Sequence, residues 1–212
     1  MRVAALVPFK CFTRAKSRLR TRYSDSEVEA IGRAMLADVL DALAQAKTLE
    51  CTTVLTDDTA VAEVAHRAGA AVRLREPDPG LNPALEEATQ ELTAAGFDAV
   101  LVALGDVPLL RGEDVDQVIA AGREQAVVIV PASDGGTALL FRRPPACIPT
   151  SFGPQSAGAH LEASRARGLE ALRLTTLSDG VTLDLDTPED VQKLLESEQP
   201  CRTGELLRKL RR

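Results

Sequence analysis

The sequence contains no tryptophan, one tyrosine and five phenylalanines among its 212 residues. Platforms that stack single-stranded nucleic acid are built from aromatic side chains, so that function has little to rest on here. A formal net charge of −6 points the same way, because nucleic-acid readers carry a basic balance. Anionic small molecules are not excluded, since an acidic protein holds them with locally placed cations. Cys11, Cys51, Cys147 and Cys201 are scattered with no CxxC pair, which reads as free thiols in a reducing compartment. Two histidines, His66 and His160, cannot supply a His-rich zinc site. No apolar run reaches the ~18 residues of a membrane span, and strand-like sequence begins at Val3. The expected location is therefore the cytoplasm, with neither a signal peptide nor a membrane partner.

Several catalytic signatures are also missing. There is no GxxxxGK[ST] phosphate loop, no GxGxxG dinucleotide fingerprint and no GxSxG nucleophile elbow. Hydride transfer and serine hydrolysis thus lack their usual residues.

What the chain does have is alternation of short apolar runs with helical periodicity. Strands are expected at Val3–Pro8, up to Thr56, and over Ala71–Leu74, Ala99–Leu104, Ala126–Val130, Thr137–Phe141, Leu172–Thr175 and Val181–Leu185. Helices are expected over Ser24–Ala46, Thr59–Ala68, Asn82–Ala95, Asp114–Ala121 and Ala157–Arg167, with a closing helix from Asp190. Turn-rich sequence over Glu76–Gly80 separates the third strand from the third helix. Helices between strands imply crossovers and a largely parallel sheet, and the close spacing between 126 and 141 implies a mixed patch. The whole reads as a single α/β domain over residues 1–197, followed by a basic, amphipathic tail, 198–212, expected to be a solvated helix.

In such sheets ligands bind beyond the carboxyl ends of the strands. Four segments lie there. Lys10, Lys16 and Arg18 follow the first strand in a loop able to neutralise a polyphosphate, although a solvated basic loop explains the same residues. Asp106, in Gly105-Asp106-Val107-Pro108, follows the most apolar strand and is placed either to hold a divalent cation or to cap the next helix. Gly105 before it would let a ligand approach closely. Asp184 and Asp186 alternate along an expected strand and so share a face, where a cation would relieve their repulsion. Thr187-Pro188 after them reads as a helix start. Finally, Ser133-Asp134-Gly135-Gly136-Thr137, Gly153 and Ser156 offer backbone amides and hydroxyls to an anion; an ordinary turn and an ordinary cap account for them as well. His160 alone reads as a packed or surface histidine rather than a catalyst.

Taken in order, Val7-Pro8-Phe9-Lys10, Ala15-Lys16-Ser17-Arg18-Leu19, Met35-Leu36-Ala37-Asp38-Val39-Leu40, Gly80-Leu81-Asn82, Gly105-Asp106-Val107-Pro108-Leu109-Leu110, Asp134-Gly135-Gly136-Thr137, Phe152-Gly153 with Ser156 and His160, and Leu183-Asp184-Leu185-Asp186-Thr187-Pro188 resemble the CofC-type guanylyltransferases of deazaflavin coenzyme F(420) biosynthesis. The resemblance runs from residue 6 to about 195. It implies a Rossmann-like nucleotidyltransferase sandwich whose sheet is mostly parallel and partly mixed. It implies transfer of GMP from GTP to a small phosphorylated acid (2-phospho-L-lactate, phosphoenolpyruvate or 3-phosphoglycerate) with Mg²⁺ as cofactor. By the same likeness Asp106, Asp184 and Asp186 match metal-holding acids, and Lys10, Lys16, Arg18 and Asn82 match the nucleotide side. Asp106, Asp184 and Lys16 are the expected catalytic set, and Thr137, Gly153 and Ser156 match the positions that grip the acceptor. Ala138, and Ala157-Gly158-Ala159, depart from the family pattern at the acceptor pocket. A different acceptor, such as a sugar phosphate or a molybdopterin-type molecule, or a nucleotide-binding protein without turnover, are the competing readings; homodimerisation is left open.

Overall fold

The computed structural model describes residues 1–12, 16–74 and 80–210. Ala15 of the early basic motif, residues 76–79 of the turn-rich run, and Arg211-Arg212 lie outside them. The strands are β1 (Val3–Pro8), β2 (Cys51–Thr56), β3 (Ala71–Leu74), β4 (Ala99–Ala103), β5 (Val127–Pro131), β6 (Thr137–Arg142) and β7 (Ala171–Arg173). They form one sheet in the order β3-β2-β1-β4-β6-β5-β7. Every pairing is parallel except those of β6, which runs antiparallel to both β4 and β5. The mixed patch expected between 126 and 141 is this reversed strand. β4, β5 and β6 are buried at every position, which explains their near-continuous Val, Ile and Leu.

The helices are α1 (Asp25–Gln45), α2 (Thr59–Arg67), α3 (Leu81–Ala94), α4 (Gly112–Glu124), α5 (Ser156–Ala166), α6 (Pro188–Glu196) and α7 (Arg202–Leu210). Alternation along β1 sends Val3, Ala5 and Val7 to one face of the sheet, where α1, α2 and α4 pack. Leu6 turns to the other face and meets α3 and α5. The result is a three-layer α/β sandwich. The entry to α1 is set by Ser24, whose Oγ accepts from the Glu27 N–H at 3.4 Å while Glu27 accepts from the Ser24 N–H at 2.8 Å. Thr187, Pro188 and Asp190 build the same kind of start for α6.

A third, smaller apolar cluster decides where the site lies. Leu19, Ile31, Met35, Leu109, Leu183 and Leu185 meet residues of α6 and α7 there, clamping three loops of different origin together. In these loops two expectations change. Val181–Leu185 is not a strand: residues Asp179–Thr182 form a 3₁₀ turn, and the following segment bonds the loop after β4 through Leu185 N–H to Asp106 C=O (3.0 Å) rather than a sheet edge. Leu183 and Leu185 are nevertheless buried and Asp184 and Asp186 are not, so the two acids share a side without strand geometry. The basic tail is α7, and it is solvated only on its outer face. Thr203, Gly204 and Leu207 are buried against α1, and Asp38 accepts from the Arg202 and Thr203 N–H groups and the Thr203 hydroxyl.

Candidate active site

Beyond the carboxyl ends of β1 and β4, the loops place Lys16, Asp106 and Asp186 in direct contact. The Lys16 ammonium donates to Asp106 Oδ2 at 2.6 Å and also to Asp186 Oδ1. Its side chain is only 7% exposed. Burial works against the Lys16 charge, but the two carboxylates outweigh it and hold the amine above the ordinary lysine value. Lys16 adopts left-handed backbone angles (φ 56°, ψ 44°), which cost a non-glycine residue about 1–3 kcal/mol, and its C=O accepts the first bond of the 3₁₀ turn Ser17–Thr21.

Asp184 belongs to the same cluster. Burial, followed by the Asp106 charge, with Asp134 and Asp186 adding to it, raises its carboxyl above the usual range. Ser133 donates to Asp184 at 3.4 Å. The second oxygen of Asp106, Oδ1, is buried and has no hydrogen-bond partner among the described residues. An unpartnered carboxylate oxygen is able to face a cation, and carboxylate oxygens are the ligands a hard ion such as Mg²⁺ takes. In the present arrangement no three acids among the described residues are grouped to hold a metal, and the Lys16 ammonium lies between Asp106 and Asp186. Gly105 serves a different purpose from the one expected. A Cβ there would meet the Phe9 ring at 2.4 Å, so the close approach it permits is that of Phe9 and not of a ligand.

Asp134 and the glycines after it form the turn between β5 and β6. The Gly136 N–H is taken by Asp134 Oδ1 at 2.7 Å and the Gly135 N–H by the Ala132 C=O, so neither faces an anion as expected. The turn instead joins two halves of the site. On one side it touches Asp184 through Ser133; on the other, Gly135 C=O accepts from Ala157 N–H at the start of α5.

The second half is buried and uncharged. Thr137 Oγ1 accepts from Ser156 Oγ at 2.9 Å and lies 3.1 Å from His160 Nδ1. His160 Nε2 accepts from the Ser151 N–H at 2.9 Å, which leaves Nδ1–H to donate to Thr137. Burial, and then the nearby Arg142, lowers His160 to a pKa of about 4, so it is neutral at pH 7. Of the two settings its isolation in the sequence allowed, packed or surface, the structure shows the packed one. Asn82 clasps the backbone of Phe152 on both sides, donating to its C=O at 3.0 Å and accepting from its N–H at 2.7 Å. The Phe152 ring sits edge-on to His160, 5.2 Å between centroids. Gly153 follows with φ 145°, a conformation that favours glycine. Asn82, Thr137, Gly153 and Ser156 are thus brought into one region, and Lys16, Asp106, Asp184 and Asp186 into another beside it. Lys10 and Arg18 are exposed near the first loop.

Sequence reasoning did not single out Arg142 or Glu86. Arg142 is fully buried on β6 and donates to Glu86 (3.1 Å), to Ile148 C=O (2.8 Å) and to Thr89 (2.8 Å), while Glu86 also accepts from the Thr150 N–H. This pair pins the loop carrying Ser151–Gly153. The signal was present: an arginine closing an otherwise apolar strand has to be paired.

No helix among the described residues is long and apolar enough to cross a membrane. The family described as "Guanylyl transferase CofC like" matches residues 3–212. A 2-phospho-L-lactate guanylyltransferase from Methanothermobacter thermautotrophicus is 35% identical, covering 100% of this chain and 92% of that protein. A 3-phospho-D-glycerate guanylyltransferase from Phenylobacterium zucineum is 40% identical over 93% and 91%, respectively. A phosphoenolpyruvate guanylyltransferase from Sphaerobacter thermophilus is 33% identical over 92% and 93%. Among solved structures, a nucleotidyl transferase from Methanothermobacter superimposes with a TM-score of 0.66 at 15% identity, covering 98% of this chain and 99% of that one, a likeness of fold.

Proposed function

Because the chain belongs to the CofC-like guanylyl transferase family, we propose that it moves GMP from GTP onto a small phosphorylated acid, releasing pyrophosphate, in the making of a deazaflavin coenzyme. The acceptor class is 2-phospho-L-lactate, phosphoenolpyruvate or 3-phosphoglycerate, the three named among its relatives. The observation that carries this reading is the contact of Lys16 with Asp106 and Asp186, with Asp184 alongside, at the strand ends where an α/β sheet binds ligands.

Asp106, Asp184 and Asp186 would hold Mg²⁺, and the buried Asp106 Oδ1, which has no hydrogen-bond partner among the described residues, supports that assignment. When bound, the ion supplies charge neutralisation and Lewis acidity at the phosphates. The acceptor is a phosphate monoester, already anionic at pH 7, so its oxygen attacks the α-phosphorus without a general base. The chain's own contribution is then positioning and electrostatics. Lys10, Lys16 and Arg18 neutralise the triphosphate; Asn82, which the resemblance matched to the nucleotide side, instead fixes the Phe152 backbone just before Gly153, beside the acceptor residues. Thr137, Gly153 and Ser156 orient the acceptor, with the Thr137 hydroxyl set by His160 and Ser156. Incubation with GTP, Mg²⁺ and each of the three acids in turn, reading pyrophosphate, tests the reading. It expects release with one acid and none without acceptor; no release with any of them refutes it.

A further inference from the structure

We propose that Lys16 is a resident cation that a divalent metal displaces: its ammonium occupies the carboxylates in the metal-free protein, and metal entry swings it off them toward the phosphate side. This rests on the metal site of the reading above, but its test requires neither GTP nor an acceptor.

Three observations support it. The Lys16 ammonium bridges Asp106 and Asp186, so the two acids already share one cation. That ammonium is the position a metal holding both acids would have to enter, since two cations cannot share it at contact distance. And one ammonium contacts two carboxylates whose charges Asp184 also feels, while Asp106 Oδ1 stays buried without a hydrogen-bond partner among the described residues. A single positive charge therefore undersupplies the site, and a divalent ion matches it better. Lys16 is also suited to exchange. Its flexible stem ends in a point charge that pairs equally with carboxylate or phosphate, and it emerges from a loop rather than from a strand or helix. In the loaded protein the same residue would neutralise the polyphosphate, so one lysine would guard the acids at rest and serve the nucleotide during turnover.

The exchange predicts competition. Mn²⁺ titrated into the full chain without nucleotide, with free Mn²⁺ read by electron paramagnetic resonance, is expected to bind K16M about ten-fold or more tightly than wild type, because the variant has no ammonium to displace. Equal or weaker binding by a folded K16M overturns the proposal and makes Lys16 a fixed structural cation. A second measurement uses the unaltered protein, in case K16M does not fold. Acetic anhydride labelling read by mass spectrometry should find Lys16 protected without metal and labelled about ten-fold or more faster at saturating Mn²⁺. Unchanged protection at saturation overturns the proposal equally. If Lys16 behaves in this way and no guanylyl transfer is found, the exchange stands and the assigned reaction falls. Transfer without exchange keeps the reaction and overturns the exchange.

Discussion

The site is made of two regions built on different principles. The lysine–carboxylate region is assembled from three loops, is partly open to solvent, and works through charge; Asp106 is 24% and Asp186 44% exposed. The hydroxyl–imidazole region is made from the start of β6, the start of α5 and the loop pinned by Arg142, and its Thr137, Ser156 and His160 are buried and neutral. In the first region the groups are held by one another, through Coulomb attraction around Lys16. In the second they are held by the fold, through backbone donors and a buried ion pair. Each should therefore fail in its own way: the first by losing chemistry with the fold intact, the second by losing stability.

The largest expected effect tests that division on the charged side. Asp106→Asn keeps the shape and removes the charge that anchors Lys16. Turnover, read as pyrophosphate release at saturating Mg²⁺, should fall by at least ~10²–10³-fold, the scale for removing one preorganised stabilising group. The midpoint of thermal unfolding should change little. Near-wild-type turnover would mean that Asp106 and its hold on Lys16 are not needed for the reaction.

Next in size is Arg142→Met on the neutral side. It leaves the half-buried Glu86 with the Thr150 N–H but no cation, and breaking a fully buried pair from one side costs about 3–5 kcal/mol, the upper bound here. Urea unfolding should show that loss. A folded Arg142→Met with unchanged stability would mean that the second region, too, does not depend on the fold.

The sequence made these two regions legible to different degrees, for physical reasons. Asp106 stood out because it directly follows the most apolar strand, although a helix cap explains such an acid as well, and the alternation of Leu183, Asp184, Leu185 and Asp186 carried the common side of the other two even though no strand forms. The strand was misread because periodicity reports which side is buried, not what it is buried against; here the partner is a small side core under α6 and α7 and not the sheet. For Gly135-Gly136 the sequence left an anion site and an ordinary turn both open, because glycine spacing does not say whether the amides are already taken, as they are here by Asp134 and Ala132. Gly105 was misread because its neighbour, Phe9, is 96 residues away in the chain, and contacts of that range leave no local pattern. Fold class needed only the order of elements. The site needed three-dimensional neighbours.

A third, smaller effect concerns pH. His160 is lowered from 6.5 to about 4 in the folded protein, so the fold favours its neutral form. A depressed histidine contributes stability that is fully present above pH 6.5 and is lost as pH falls toward 4, by on the order of 3 kcal/mol. His160→Gln should flatten that part of the stability curve: the gap between wild type and variant in urea unfolding should narrow from pH 7 to pH 4.5. A gap that stays constant would show that His160 carries no proton-linked strain, and the neutral region would then be held by packing alone.

The smallest effect is expected outside both regions. Ser24 caps α1 only a few residues beyond the 3₁₀ turn that begins after Lys16, so it anchors the far end of the loop that presents the ammonium. Ser24→Ala removes the hydroxyl that accepts from Glu27 N–H and should cost about 1 kcal/mol of stability, visible as a small drop in unfolding midpoint. If Lys16 is held by Asp106 and Asp186 rather than by its backbone, kcat and the KM for GTP should not move with that loss. The carboxylates would simply hold the ammonium while the helix end frays slightly behind it. A raised KM for GTP at unchanged kcat would mean instead that the charged region also leans on distant caps, and that both regions are positioned by the fold.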